Sequence, residues 1–188
     1  MINAKVKKQK IGIVIKQDIL ENQVNTSYLG IGSNLGNKKI YIEKAKYLLE
    51  TNLIKIIKCS SYYESPSWPN NNYPSYYNIV IKVKTNLTSS ELFIEIKKIE
   101  KFLGRIKAKK NKPRTCDIDI IDFNGKILSF KINNDFIGIP HSRLCERNFV
   151  LIPLFEIDKK WLHPKNKKKI SHIINKLSVK SLSSIKQI

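Results

Sequence analysis

Asp117-Ile118-Asp119-Ile120 alternates acid with isoleucine. A period of two suits a strand, which turns both carboxylates to one face and both isoleucines to the other. Adjacent carboxylates repel unless a cation, a proton or a cationic side chain lies between them. The pair is therefore either a metal-holding site on a sheet or two acids solvated at a surface.

The rest of the chain reads as alternating strands and helices. Ser27 to Ile31 predicts a first strand, followed by a glycine- and asparagine-rich turn and a helix from Lys38 to Thr51 carrying Ile40, Ala45, Leu48 and Leu49. Leu53 to Tyr63 predicts a second strand, and Pro66, Pro69 and Pro74 an irregular loop. Tyr77 to Lys84 alternates as a third strand. Thr88-x-x-Glu91 has capping-box spacing before an apolar stripe, Leu92, Ile96, Ile99 and Leu103, that Gly104 ends. Thr115 to Phe123 and Lys126 to Ile132 predict two strands joined at Asn124-Gly125, which would put the acid pair in a hairpin. This β-α-β-β-α-β order predicts an α+β fold with a ferredoxin-like antiparallel sheet. Residues 1–26 read as an N-terminal extension, weakly packed, and 27–188 as one domain. Its end, from Lys159, reads as a covering helix with a mobile tail.

The chain has 188 residues and a net charge of +20. A basic surface suits nucleic acid, but the charge comes from thirty-one lysines and four arginines spread along an Ile- and Asn-rich chain. That pattern resembles compositional drift more than a patch. Arg105, Arg114, Arg143 and Arg147 all fall near the acid pair or in the later motif, where guanidinium geometry toward phosphate or carboxylate matters. Cys59, Cys116 and Cys145 show no paired spacing, so reduced thiols are expected. No apolar run reaches the roughly 20 residues of a membrane helix, and residues 1–10 lack a secretory core, so a cytoplasmic protein is expected.

Gly32-Ser33-Asn34-Leu35-Gly36-Asn37, Gly104-Arg105, Pro113-Arg114-Thr115 with the acid pair, and Pro140-His141-x-Arg143-Leu144-x-Glu146-Arg147-x-Phe149-Val150-Leu151 together resemble the 6-hydroxymethyl-7,8-dihydropterin pyrophosphokinases of folate synthesis, over about Ser27 to Ile157. The resemblance implies an α/β/α sandwich and transfer of pyrophosphate from ATP to the pterin hydroxymethyl group, leaving AMP. It assigns Asp117 and Asp119 to two magnesium ions and Arg105 and Arg114 to the transferring phosphates. Lys97, Glu100, Ile120, His141 and Arg147 fall to the nucleotide, Lys97 and Glu100 from an exposed helix face. Ser65, Ser67, Trp68, Tyr76, Asn78 and Phe149 fall to the pterin. The residues alone leave alternatives open: Arg105 as a helix-end cation, Arg114 as an ion-pair partner of its neighbours, Tyr76 and Phe149 as core.

Two departures stand out. Asn111-Lys112 replaces the Trp-Gly frequent before the Pro-Arg step, in a Lys107 to Lys112 loop about one residue short, which puts the closing lid in doubt. Phe136 and Gly138 replace polar or basic residues of some relatives. The competing readings are a basic RNA-binding module, which lacks the expected aromatic run, and a non-catalytic partner of a folate-pathway enzyme. The expected partners are ATP and a reduced pterin, with a folate-pathway enzyme as a further candidate. A monomer is expected, with neither membrane nor nucleic acid.

Overall fold

The structure is a computed structural model that describes residues 24–105, 112–132 and 135–188. Its central strand, β1 (Asn25–Ser33), pairs antiparallel with β4 (Tyr76–Thr85) on one side and β5 (Asp117–Phe123) on the other. β2 (Lys55–Cys59) and β3 (Tyr63–Ser65) lie in succession along the far edge of β4, also antiparallel. With α1 (Lys38–Thr51) after β1 and α2 (Ser89–Phe102) after β4, this is the expected ferredoxin-like order.

Local chemistry explains the helices. Asn37 caps α1 by accepting from Ile40 N, and Thr88 and Glu91 form the reciprocal capping box of α2. Leu92, Ile96, Ile99 and Leu103 are buried as the stripe requires. In α1 the buried positions are Ile42, Ala45 and Leu49, and Ile40 is exposed.

The two faces of the sheet carry separate cores. Leu29, Ile31, Ile79, Ile81, Val83, Ile118 and Ile120 pack against α1 and α2. Tyr28, Val80 and Ile121 pack against α3 (Asn148–Ile157) and α4 (Ile170–Ile174). An α/β/α sandwich results. Because Ile118 and Ile120 face α1 and α2, Asp117 and Asp119 between them face the α3 side.

Three expectations are corrected. Asn124 and Gly125 do turn the chain with positive φ of 54° and 63°, but the strands on either side do not pair. Asn124 exchanges hydrogen bonds with Thr26, extending the β1–β5 ladder, and the chain then leaves to form a separate two-stranded sheet of β6 (Leu128–Ile132) and β7 (Asp135–Ile139). The acid pair therefore sits on the edge strand of the main sheet. The second predicted strand is broken at Ser60, whose N–H donates to Val80 O and whose Oγ accepts from Val80 N. The end of the chain is not one helix with a loose tail: α4 and α5 (Val179–Ser183) are short, and β8 (Lys186–Gln187) pairs with β3. Of the predicted extension, Asn25 and Thr26 belong to β1, and residues 1–23 lie outside the described residues.

Candidate active site

β1 places a glycine between the two halves of the site. Gly32 stands opposite Asn78 on β4 and opposite Asp117 on β5. At about 4.8 Å per strand, the backbones of Asn78 and Asp117 are about 10 Å apart, with only a glycine between. A Cβ at Gly32 would come within 3.0 Å of Asn78 Oδ1 and 3.5 Å of the Tyr76 ring, so glycine keeps the floor of this cleft open.

The acids are held by guanidinium groups. Asp117 accepts from Arg105 Nη1 at 2.5 Å and from Arg114 Nη1 at 2.9 Å. Asp119 accepts from Arg147 Nη1 at 2.7 Å. Desolvation in the cleft opposes the Asp119 charge, but Arg147, with Lys97 adding to the positive field, holds this carboxyl below its usual range. Among the described residues no three His, Cys, Asp or Glu side chains cluster as a complete metal cage. Two carboxylates at alternate positions of one strand nevertheless fit magnesium, which completes its shell with phosphate oxygens and water.

His141 is the second donor group. Its Nδ1 accepts the Arg143 backbone N–H at 3.0 Å, and its Nε2 lies 3.0 Å from Arg147 Nη2. Burial lowers the His141 pKa, the Arg147 charge lowers it further, and the ring stays neutral at pH 7. A neutral ring that accepts at Nδ1 carries its proton on Nε2. His141 Nε2–H and the Arg147 guanidinium then form adjacent donors suited to one anionic oxygen.

Glu100 differs from expectation. It is 1% exposed, not on an open helix face. Its carboxylate accepts from Lys97 Nζ at 2.8 Å, from Ile118 N at 2.7 Å and from Arg105. Burial raises its pKa, against the pull of Lys97 and Arg105. Glu100 thus ties α2 to the backbone between the two acids and aims Arg105; Lys97, beside it, stays partly exposed. Ile120 lies in the core under α1 and α2, away from the acid face.

Asn78 Nδ2 donates to Ser65 Oγ at 2.9 Å, leaving Oδ1 over Gly32. Ser65, Ser67 and Asn78 are buried, Tyr76 and Phe149 are half-buried, and Trp68 is exposed with its ring 4.4 Å from Arg143 Cζ. The Arg147 guanidinium lies 5.7 Å from the Phe149 ring. Sequence reasoning missed Asn34 as a site residue. Buried in the loop after β1, it accepts the Arg114 N–H at 2.8 Å and donates to Pro74 O at 3.2 Å, linking the arginine segment to the loop before Tyr76. Its signal was its place in the Gly32 to Asn37 block. The altered lid lies outside the described residues except Lys112, whose Nζ is 5.8 Å from the Tyr73 ring. Phe136 is exposed.

Comparison with known proteins gives a consistent result. A family model described as 7,8-dihydro-6-hydroxymethylpterin-pyrophosphokinase matches residues 28–159. The 2-amino-4-hydroxy-6-hydroxymethyldihydropteridine pyrophosphokinase of Aquifex aeolicus is 40% identical over 139 residues, covering 74% of this chain and 84% of that protein. The folic acid synthesis protein fol1 of Pneumocystis carinii is 40% identical over 146 residues, 77% of this chain but 19% of that longer protein. The crystal structure of wild-type Plasmodium falciparum HPPK-DHPS shares the fold with a TM-score of 0.66 at 17% identity, over 84% of this chain and 46% of that one. The chain belongs to the 7,8-dihydro-6-hydroxymethylpterin-pyrophosphokinase family, the ATP-dependent pyrophosphokinases of folate synthesis.

Proposed function

We propose that this chain transfers the pyrophosphoryl group of ATP to the hydroxymethyl oxygen of 6-hydroxymethyl-7,8-dihydropterin, in the cytoplasm, at the cleft between Asn78 and Asp117. The observation that carries the reading is the row Asn78–Gly32–Asp117: an amide for the pterin edge and the acid pair for the phosphates, on one face of one sheet.

The new bond joins the pterin hydroxymethyl oxygen to the β-phosphorus, the bond from that phosphorus to the α-bridging oxygen breaks, AMP leaves, and the hydroxyl proton is released to solvent. The chain's part is positioning and charge. Asp117 and Asp119 would hold two magnesium ions, which would neutralise the triphosphate. Arg105 and Arg114 pair with Asp117, and the same guanidinium groups turn to phosphate when the nucleotide binds. His141 Nε2–H and Arg147 donate to a phosphate oxygen. Tyr76 and Phe149 supply aromatic faces for the pterin, and Asn78 Oδ1 an acceptor for its amino edge. Every group assigned comes from one chain, so a monomer suffices. The longer folic acid synthesis relatives suggest a folate-pathway enzyme as a partner.

Pterin-dependent release of AMP from ATP and magnesium tests the reading. AMP formed only when the reduced pterin is present supports it. A folded protein that binds neither ligand, or that releases AMP at the same rate without pterin, contradicts it.

A further inference from the structure

We propose that Arg143 is a positioning residue that clasps the pterin-side loop to the nucleotide-side loop. The inference rests on the reading of the cleft given above. Trp68 lies between β3 and β4, whereas Arg143 lies between β7 and α3, and the two meet across the cleft mouth with the guanidinium 4.4 Å from the indole centroid. Arg143 Nε donates to Glu146 Oε2 at 3.0 Å, which orients the guanidinium plane. Its backbone N–H donates to His141 Nδ1 at 3.0 Å. His141 Nε2 in turn stands beside Arg147 Nη2 at 3.0 Å, two donors facing one site, and Arg147 donates to Asp119 at 2.7 Å. One residue therefore touches the indole with its side chain and sets the histidine tautomer with its backbone.

Composition supports the assignment. Lysine supplies thirty-one of the chain's thirty-five cationic side chains, yet arginine stands here. A planar guanidinium can stack on an indole and bond a carboxylate through Nε at the same time, which an ammonium cannot. The otherwise exposed indole, 64% accessible, gains a partner in this way.

Ordering of the His141 to Arg147 loop by nucleotide is thereby transmitted to the Trp68 loop, and each ligand strengthens binding of the other. The test is calorimetric titration of 6-hydroxymethylpterin into the protein with and without magnesium and α,β-methylene-ATP, an analogue that cannot transfer pyrophosphate. The ratio of the two pterin affinities measures the coupling. The wild-type ratio exceeds one, and Arg143→Ala lowers it by about two- to fivefold, the size expected of an exposed cation–π pair. Trp68→Ala does the same, and Trp68→Phe restores much of it. A general structural defect would instead weaken both affinities and leave the ratio intact; an Arg143→Ala ratio equal to wild type therefore overturns the proposal. A wild-type ratio of one overturns the clasp while leaving the site reading intact. Wild-type protein that binds neither ligand overturns both.

Discussion

Arg114 touches Asp117 through Nη1 and points Nε toward Lys112 O at 3.4 Å, so two ends of one planar group are engaged at once. A lysine offers one point charge and cannot reproduce that arrangement. Arg114→Lys is expected to lower kcat on the order of 10²-fold, the scale of losing one preorganised donor to developing charge, with a small change in melting temperature. His141 gives a pH prediction with a definite sign. Its folded pKa lies below the ordinary value of about 6.5, so the unfolded chain takes the proton first and the folded state loses stability as pH falls through about 6.5. Protonation at Nδ1 also breaks the bond from Arg143 N–H. Thermal melts between about pH 7.5 and 5.5 should show a smaller loss for His141→Gln than for wild type; equal losses would show that the ring is not held neutral. Much at this scale was legible, because Asp117 and Asp119 stand at alternate strand positions and a strand shows its face in its sequence. The burial of Glu100 was not legible. On α2 its position is compatible with solvent, and only the approach of β5 turns it inward to meet Ile118 N.

The strands set distances that single residues cannot. β1 contributes Gly32, and its missing side chain leaves room between Asn78 and Asp117. Gly32→Ala would push a methyl group to 3.0 Å from Asn78 Oδ1, and Asn78, held by Ser65, has little freedom to retreat. The expected outcome is a pterin KM raised roughly tenfold by the few-tenths-of-an-ångström displacement, with the KM for ATP nearly unchanged. Equal rises in both would place Gly32 in general strand stability instead. Element order was readable from capping and periodicity, as Thr88 and Glu91 show. Pairing was not. The Asn124-Gly125 turn looks like a hairpin because its local chemistry is that of one, but Asn124 gives its hydrogen bonds to Thr26, and the β1 partner outcompetes β6. The break at Ser60 has the same origin: its hydroxyl bonds Val80 N, a cross-strand contact that local pattern cannot announce.

The whole molecule is a sheet with its two faces assigned to different work. One face, under α1 and α2, carries the larger apolar core; the other gives one end to the α3 core and the other end to the cleft. β1 begins at Asn25, and the first proposed site position is Gly32. Removal of residues 1–23 is therefore expected to leave kcat and both KM values within about twofold, whereas removal through Asn25 also deletes the bond from Asn25 Nδ2 to Leu87 O at 2.9 Å and lowers the melting temperature. A large activity loss from the shorter deletion would assign those residues to the site. The net charge of +20 does not choose a partner by itself, because lysine is spread along the chain while the four arginines gather around one cleft.

Single-turnover measurement of AMP formation with saturating ATP, magnesium and reduced pterin, comparing wild type with Asp117→Asn and Asp119→Asn, tests the central claim most directly. Each variant keeps the side-chain volume and loses the charge. The expected result is a chemical step slowed by at least about 10²-fold in both variants, with melting temperatures close to wild type because the ion pairs removed are partly solvated. A variant that keeps near-wild-type turnover, or that loses activity only by unfolding, would show that the pair supports the sheet and not the reaction.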